Sequence, residues 1–123
     1  MQIKKFEIDG KEVQFVNEHR NTRYGFAHDT HLFINGYEYK TATCHYLNRT
    51  WECYAFQSVM KQAVYLLEEE RENRLRDNFK AEKGYKKLTA KRAEEFKAVV
   101  DADEQIKLYR KINEKLNEHR PLW

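Results

Sequence analysis

Apolar and polar positions change their period once along this chain. Up to Tyr46 apolar side chains tend to alternate with polar ones, as strands require. From Cys53 onward they recur at three and four, as helices require. Two strong turn signals divide the alternating part. Asp9-Gly10 separates Ile3–Ile8 from Glu12–Val16, and Asn35-Gly36 separates Phe26–Ile34 from Tyr37–Tyr46. Both dipeptides suit a type I′ turn, which needs positive φ at both central residues. A two-residue turn at Asp9-Gly10 sets Phe6 opposite Val13 and Lys4 opposite Phe15, so Phe6, Ile8, Val13 and Phe15 share a core face. The same rule at Asn35-Gly36 sets Leu32 opposite Tyr39, His28 opposite Thr43 and Ala27 opposite Cys44. The pattern leaves two candidates for the face a helix covers. One is bulky (Leu32, Ile34, Tyr39); the other is small (Ala27, Ala42, Cys44) and would let a helix come close. The uncovered side keeps aromatics and histidines, a candidate binding or dimer surface. Asn17–Gly25 is polar throughout and reads as a connection carrying Arg20, Arg23 and Tyr24.

The switch of period falls at Asn48-Arg49-Thr50, where Asn48 or Thr50 can cap a helix beginning at Trp51 and Glu52. Cys53, Phe56, Val59, Met60, Ala63, Val64 and Leu67 form its apolar stripe. Beyond Leu67 the segment is almost wholly charged, with only Leu75 and Phe79 continuing the stripe as far as Lys83, and Gly84 supplies a stop. Such a projecting half needs a cover. The chain's own return along it, or a swap of these helices with a second chain, would provide one. Thr89 can cap the return, whose stripe is Phe96, Val99, Val100, Ile106, Tyr109, Ile112 and Leu116. Asp101, with Glu104 reaching back, marks a kink or a second start, and Pro121 an end. The pattern therefore predicts an α+β fold of a single domain. Residues 1–50 form a four-stranded antiparallel meander, 51–83 a long core helix on the sheet, and 84–123 a C-terminal helical hairpin.

Composition narrows the function classes. The 123 residues are 35% charged and 14% aromatic, a globular composition, and the net charge of +3 is too small to announce a nucleic-acid binder. Charge is also even along the chain, with seven Lys/Arg against six Asp/Glu in residues 1–50 and sixteen against fourteen thereafter. Absence of a signal-like opening or a long apolar run predicts a cytoplasmic protein with reduced thiols and no membrane partner. Asn48-Arg49-Thr50 fits a glycosylation pattern but reads more simply as the cap.

Candidate chemistry is sparse. Cys44, Cys53, His28, His31 and His45 lack metal-motif spacing, and neighbouring Cys44 and His45 point to opposite faces of a strand, so no metal and no cofactor is expected. His28, Asp29, His31 and Glu38 share one hairpin, but His28 and His31 alternate in facing, so no more than one joins Asp29 on a given side; with no phosphate loop or nucleophile motif beside them, the chain does not read as an enzyme. Lys80, Lys83, Lys86, Lys87, Lys91 and Arg92 cluster around the Gly84–Thr89 turn with Tyr85 among them. Cations with an interleaved aromatic suit phosphate contact and base stacking, though lysines also favour a helix C-terminus.

Three stretches carry a resemblance: Asn21-Thr22-Arg23-Tyr24-Gly25-Phe26, Leu32-Phe33-Ile34-Asn35-Gly36, and Tyr46-Leu47-Asn48-Arg49-Thr50-Trp51-Glu52, continuing to Met60-Lys61. Over about residues 3–67 the chain resembles small proteins of Gram-positive phages and mobile elements, some of which, in this size class, are anti-CRISPR inhibitors. The resemblance implies a non-catalytic interaction protein. Its partner would be a host defence protein or nucleoprotein such as a CRISPR effector, met in the host cytoplasm. A net positive chain does not mimic DNA, so docking by shape, contact with guide RNA or clamping as a homodimer is implied. The contact residues expected are Arg20, Arg23, Tyr24, Lys80, Lys83, Tyr85, Lys86, Lys87, Lys91 and Arg92. The alternative is a small DNA- or RNA-binding accessory protein that uses the Lys80–Arg92 cluster.

Overall fold

A computed structural model describes residues 2–23, 25–46 and 52–118, without the side chains of residues 26, 44–46 and 52–58. Its order is β1 (Gln2–Ile8), β2 (Lys11–Thr22), β3 (Gly25–Ile34), β4 (Tyr37–Tyr46), α1 (Glu52–Lys83), α2 (Ala90–Ala102) and α3 (Glu104–Glu118). The strands form one antiparallel sheet in the order β1-β2-β3-β4, which is the expected meander. Both turn signals hold: Asp9 and Gly10 have φ of 52° and 78°, and Asn35 and Gly36 have 51° and 82°. Phe6 pairs with Val13 and Lys4 with Phe15. The Asn48–Thr50 cap, Trp51 and the Pro121 stop lie outside the described residues.

Two strand assignments differ from the sequence reading, each for a physical reason. The polar stretch from Asn17 is not a connection: β2 runs through to Thr22, which pairs with Gly25. Alternation is hidden there because both faces are polar and find partners across the strand. On the covered face Asn17 is 1% exposed. Its side chain accepts from Thr30 Oγ1 at 3.0 Å and donates to Gln2 Oε1 at 2.9 Å. On the other face Arg20 Nε donates to Asp29 at 2.8 Å. The second difference is a β-bulge. Leu32 pairs with Lys40 while Phe33 pairs with Glu38, so Tyr39 is an extra residue in β4. Beyond it the register moves by one: His28 faces Cys44 rather than Thr43, and Ala27 faces His45. A one-residue shift exchanges the faces of a strand. The covered face therefore takes Leu32 and Ile34 from β3 together with Ala42 from β4, which unites the two alternatives the sequence offered.

A four-stranded sheet is about 19 Å across and one helix about 10 Å, so a single helix leaves half a face wet. Two helices share the work. Val59 and Ala63 of α1 pack on Ala42 over the β4 side. Met60, Val64 and Leu67 join Leu108, Tyr109, Ile112 and Leu116 of α3 over Ile8, Val13, Phe15, Leu32 and Ile34. Thus α3 does more than follow α1; it completes the roof. Ion pairs fix it there: Lys111 Nζ to Asp9 at 2.6 Å, and Arg110 to Glu68 at 3.2 Å and Asp101 at 3.0 Å. Lys40, facing inward beside the bulge, pairs with Glu70 of α1.

The projecting half of α1 is covered in cis. Phe79 packs with Phe96 and Val100 of α2 and Ile106 of α3, flanked by Leu75, Tyr85 and Leu88. The C-terminal part is two helices rather than one, and the break is at Asp103, not Asp101. Asp103 is extended (φ −72°, ψ 128°). Its Oδ2 accepts from the Ile106 N–H at 3.1 Å, capping α3. Arg71 of α1 forks onto both its carboxylate oxygens at 2.8 and 3.1 Å. That fork and the Ile106 N–H hold the Asp103 carboxyl below the usual carboxylate range, against the opposing effect of burial. No helix among the described residues is long and apolar enough to cross a membrane.

Candidate interaction surface

The end of α1 is built to stop sharply and to hold a small tip rigid. Gly84 has φ +70°, and the Tyr85 N–H donates to the Lys80 carbonyl at 2.9 Å. This six-to-one bond is a Schellman motif, and its usual apolar contact is present as Tyr85 edge-on to Phe79, with centroids 5.8 Å apart. Phe79 also meets Phe96 at 5.5 Å. Thr89 caps α2 as expected, its side chain accepting from the Arg92 N–H. The Arg92 guanidinium lies 4.0 Å from the Tyr85 ring centroid, and its Nη1 donates to the Lys87 carbonyl at 3.2 Å. The turn between α1 and α2 is therefore pinned by an aromatic, an arginine and a left-handed glycine.

From this frame Lys83, Lys86, Lys87 and Lys91 are all exposed, with Lys80 half-buried beside them. Among the described residues none of these five is in an ion pair. Several cations elsewhere are engaged: Lys5 with Glu12, Arg20 with Asp29, Lys40 with Glu70, Arg71 with Asp103, Arg110 with Glu68 and Lys111 with Asp9. Arg92 and Tyr85 serve the frame, so Tyr85 does not offer a base two open ring faces. The cluster seen in the sequence thus divides into two structural members and a set of available lysines.

The other expected contact residues lie far away. Arg20 is in β2 on the uncovered face, where Asp29 holds it; Arg23 is exposed in the β2–β3 turn; Tyr24 lies outside the described residues. The end of the sheet that carries them sits beside the start of α1, because Val59 and Ala63 pack on Ala42 while Glu70 meets Lys40. From Val59 to Lys83 the helix runs about 36 Å, so Arg20 and Arg23 do not share a surface with the tip.

The uncovered sheet face has the opposite charge. Glu7, Glu12, Glu18, Asp29 and Glu38 stand on it against Lys5 and Arg20, around the half-buried Val16 and Phe33 and the exposed Ile3. His31 bridges its carboxylates, with Nδ1 2.7 Å from Glu38 and Nε2 3.5 Å from Glu18. Thr41 and His31 hold the Glu38 carboxyl below its ordinary range, and Arg20 with Thr43 does the same to Asp29. Sequence counts by halves missed this polarity, because the acidic residues meet only once β1–β4 are paired. Tyr37, 75% exposed, and Tyr39 line a separate cleft of about 300 Å³ between the β3–β4 turn and the start of α3.

No family model, curated protein or solved structure matches the chain.

Proposed function

We propose that the protein is a non-catalytic interaction protein of a phage or mobile element that blocks a host defence nucleoprotein, of the anti-CRISPR kind, and that the basic tip is what it docks with. One observation carries the reading. Lys80, Lys83, Lys86, Lys87 and Lys91 gather on a pinned turn without carboxylate partners, while Arg20 and Lys40 on the sheet and Arg110 and Lys111 on α3 are engaged. Unpaired lysines meet phosphates without first breaking an ion pair, and the pinned turn spares the cost of ordering the backbone. A nucleoprotein exposes phosphates on its guide strand or its bound target. The contact is with the backbone rather than the bases, since Arg92 already stacks on Tyr85. The resemblance to phage and mobile-element proteins selects the target class.

The same lysines support a second reading, direct binding of free DNA or RNA by an accessory protein. The two are separated by adding the purified protein to a guide-loaded CRISPR effector and following target cleavage. The inhibitor reading expects cleavage to fall and the protein to co-purify with the loaded effector. Both effects should vanish in Lys83→Glu/Lys86→Glu/Lys87→Glu/Lys91→Glu with an unchanged Tm. Unimpaired cleavage without co-purification discards it. A mobility shift of naked nucleic acid with target cleavage unimpaired supports the accessory reading instead.

A further inference from the structure

The roof over the sheet leaves a cleft of about 300 Å³ between the β3–β4 turn and the first turn of α3. Its floor is apolar, made by Ile34, Leu108 and Tyr109, all buried. Its rim carries two tyrosines with little cover, Tyr37 at 75% and Tyr39 at 42% exposure. The bulge brings them together. Tyr37 pairs with Ile34 across the turn, and Tyr39 is the extra residue of β4, so both line one cleft. The turn beside them is held rigid. The Asn35 N–H donates to the Glu12 carbonyl at 2.9 Å, and Asn35 Oδ1 accepts from the Glu12 N–H at 2.9 Å. Aromatic rings left in water above a concave apolar floor gain burial when a ring enters between them and that floor.

The polar lining says what kind of ring. Lys11, from the start of β2, only donates, and Glu104, from the start of α3, only accepts. Lys11 is in no ion pair among the described residues. Glu104 has a 3.4 Å contact with Lys107 and is 88% exposed. Asn35 commits its oxygen to Glu12, and neither its amide nitrogen nor the Gln105 side chain has a partner among the described residues. A hydrocarbon guest would leave these four groups unanswered. A simple ion would leave the tyrosines wet. A flat heterocycle with donors and acceptors on its edge answers both.

We propose that this cleft holds one unpaired nucleobase, stacked on the tyrosine rim, with its edge toward Lys11 and Glu104. Stacking on an aromatic side chain needs a base whose face is free, as in a nucleoside or a single strand. Lys11 donates to a ring carbonyl, and Glu104 accepts from an exocyclic amino group. Guanine and cytosine carry both groups; uracil lacks the amino group and adenine the carbonyl. The site stands apart from the lysine tip. Asp103, next to Glu104, is held by Arg71, which precedes Lys83 by about 18 Å along α1. Base recognition in the cleft therefore does not depend on phosphate contact at the tip.

The test is a titration of the ¹⁵N-labelled full chain with cytidine and with uridine, which offer the tip lysines no phosphate, and with a short single strand of cytosine nucleotides. The expected result is saturable shifts of the Tyr37, Tyr39, Gln105 and Leu108 amides, with cytidine bound at least about fivefold tighter than uridine. Saturation by cytidine shows that a free base suffices; saturation by the strand alone assigns the site to an unpaired base within a chain. Tyr37→Ala, at an exposed position, should weaken binding at least about fivefold, and Glu104→Gln should abolish the preference for cytidine. Lys83→Ala/Lys86→Ala/Lys87→Ala/Lys91→Ala should leave the cytidine shifts in place, so a tip that binds no phosphate would not affect this site. The proposal is overturned if none of the three probes gives saturable shifts. It is overturned equally by a folded Tyr37→Ala/Tyr39→Ala chain that binds as wild type. N-acetyltryptophanamide bound as tightly as cytidine would also overturn it, and would give the cleft to an aromatic side chain of a partner protein.

Discussion

The sheet end and the tip of this molecule are threaded on one helix and packed by the same kinds of side chain, yet they differ in depth and in charge. At the sheet end twelve buried residues from three strands and two helices form one cluster. At the tip four do, from the three helices. Arg20, Lys40, Arg110 and Lys111 pair between elements, as Lys111 does with Asp9, while the tip lysines pair with nothing among the described residues. A deep core with satisfied charge secures the fold. A shallow core with unsatisfied charge displays a surface. The comparison teaches that overall charge, only +3 here, says little about local field: the sheet's open face is acidic and the far end of α1 basic.

The contrast can be broken most forcefully at the sheet. Phe15, fully buried among Val13, Leu32 and the α3 stripe, should cost about 3–5 kcal/mol when cut to alanine. The loss should be global, with all seven elements melting together in urea. Phe96→Ala at the tip should cost less, about 2–3 kcal/mol, because a four-residue cluster can close up around the gap. Its effect should be local: amides of α2 should lose hydrogen-exchange protection while those of β2 and β3 keep theirs. Equal loss in both places would mean that tip and sheet are one cooperative body.

The joint between the two ends is Asp103, held by Arg71 and capping α3. Asp103→Ala should cost about 1–3 kcal/mol, from a lost cap and an abandoned guanidinium. The sign of its pH dependence follows from the depressed carboxyl. Its contribution is complete above the unfolded value of about 4 and disappears as pH falls through the lower folded value. Acid titrations of Tm should therefore converge for wild type and Asp103→Asn in that window and separate above it.

Much of this architecture was legible because the local chemistry was unambiguous. Asp9-Gly10 and Asn35-Gly36 gave two hairpins, Gly84 gave the end of α1, and Thr89 gave the start of α2. The stripe Ile106, Tyr109, Ile112, Leu116 was right residue by residue; Ile106 meets Phe79 as expected, but the other three meet the sheet, because a stripe does not say which of two apolar surfaces it packs on. The strand from Asn17 to Thr22 was hidden because hydrogen bonds, not apolar side chains, satisfy both its faces. The bulge was hidden because Tyr39 is as good a strand residue as its neighbours; only the need to place Ala42 under α1 beside Leu32 demands it. For the candidate surface, the lysine cluster was visible as composition. Its division into frame and display depends on the left-handed turn that folds Tyr85 onto Phe79 and Arg92 onto Tyr85.

The central claim is that the tip lysines are a phosphate-contacting surface and the sheet is not. Its most direct test is the affinity for a short labelled duplex DNA, used as a phosphate-bearing probe, measured across a range of salt. If the lysines meet phosphates, log K falls linearly with log salt, and Lys83→Ala/Lys86→Ala/Lys87→Ala/Lys91→Ala flattens the slope by about 0.9 per lysine in contact. Arg20→Ala leaves that slope unchanged. A quadruple variant that keeps both the wild-type affinity and the wild-type slope would contradict the account.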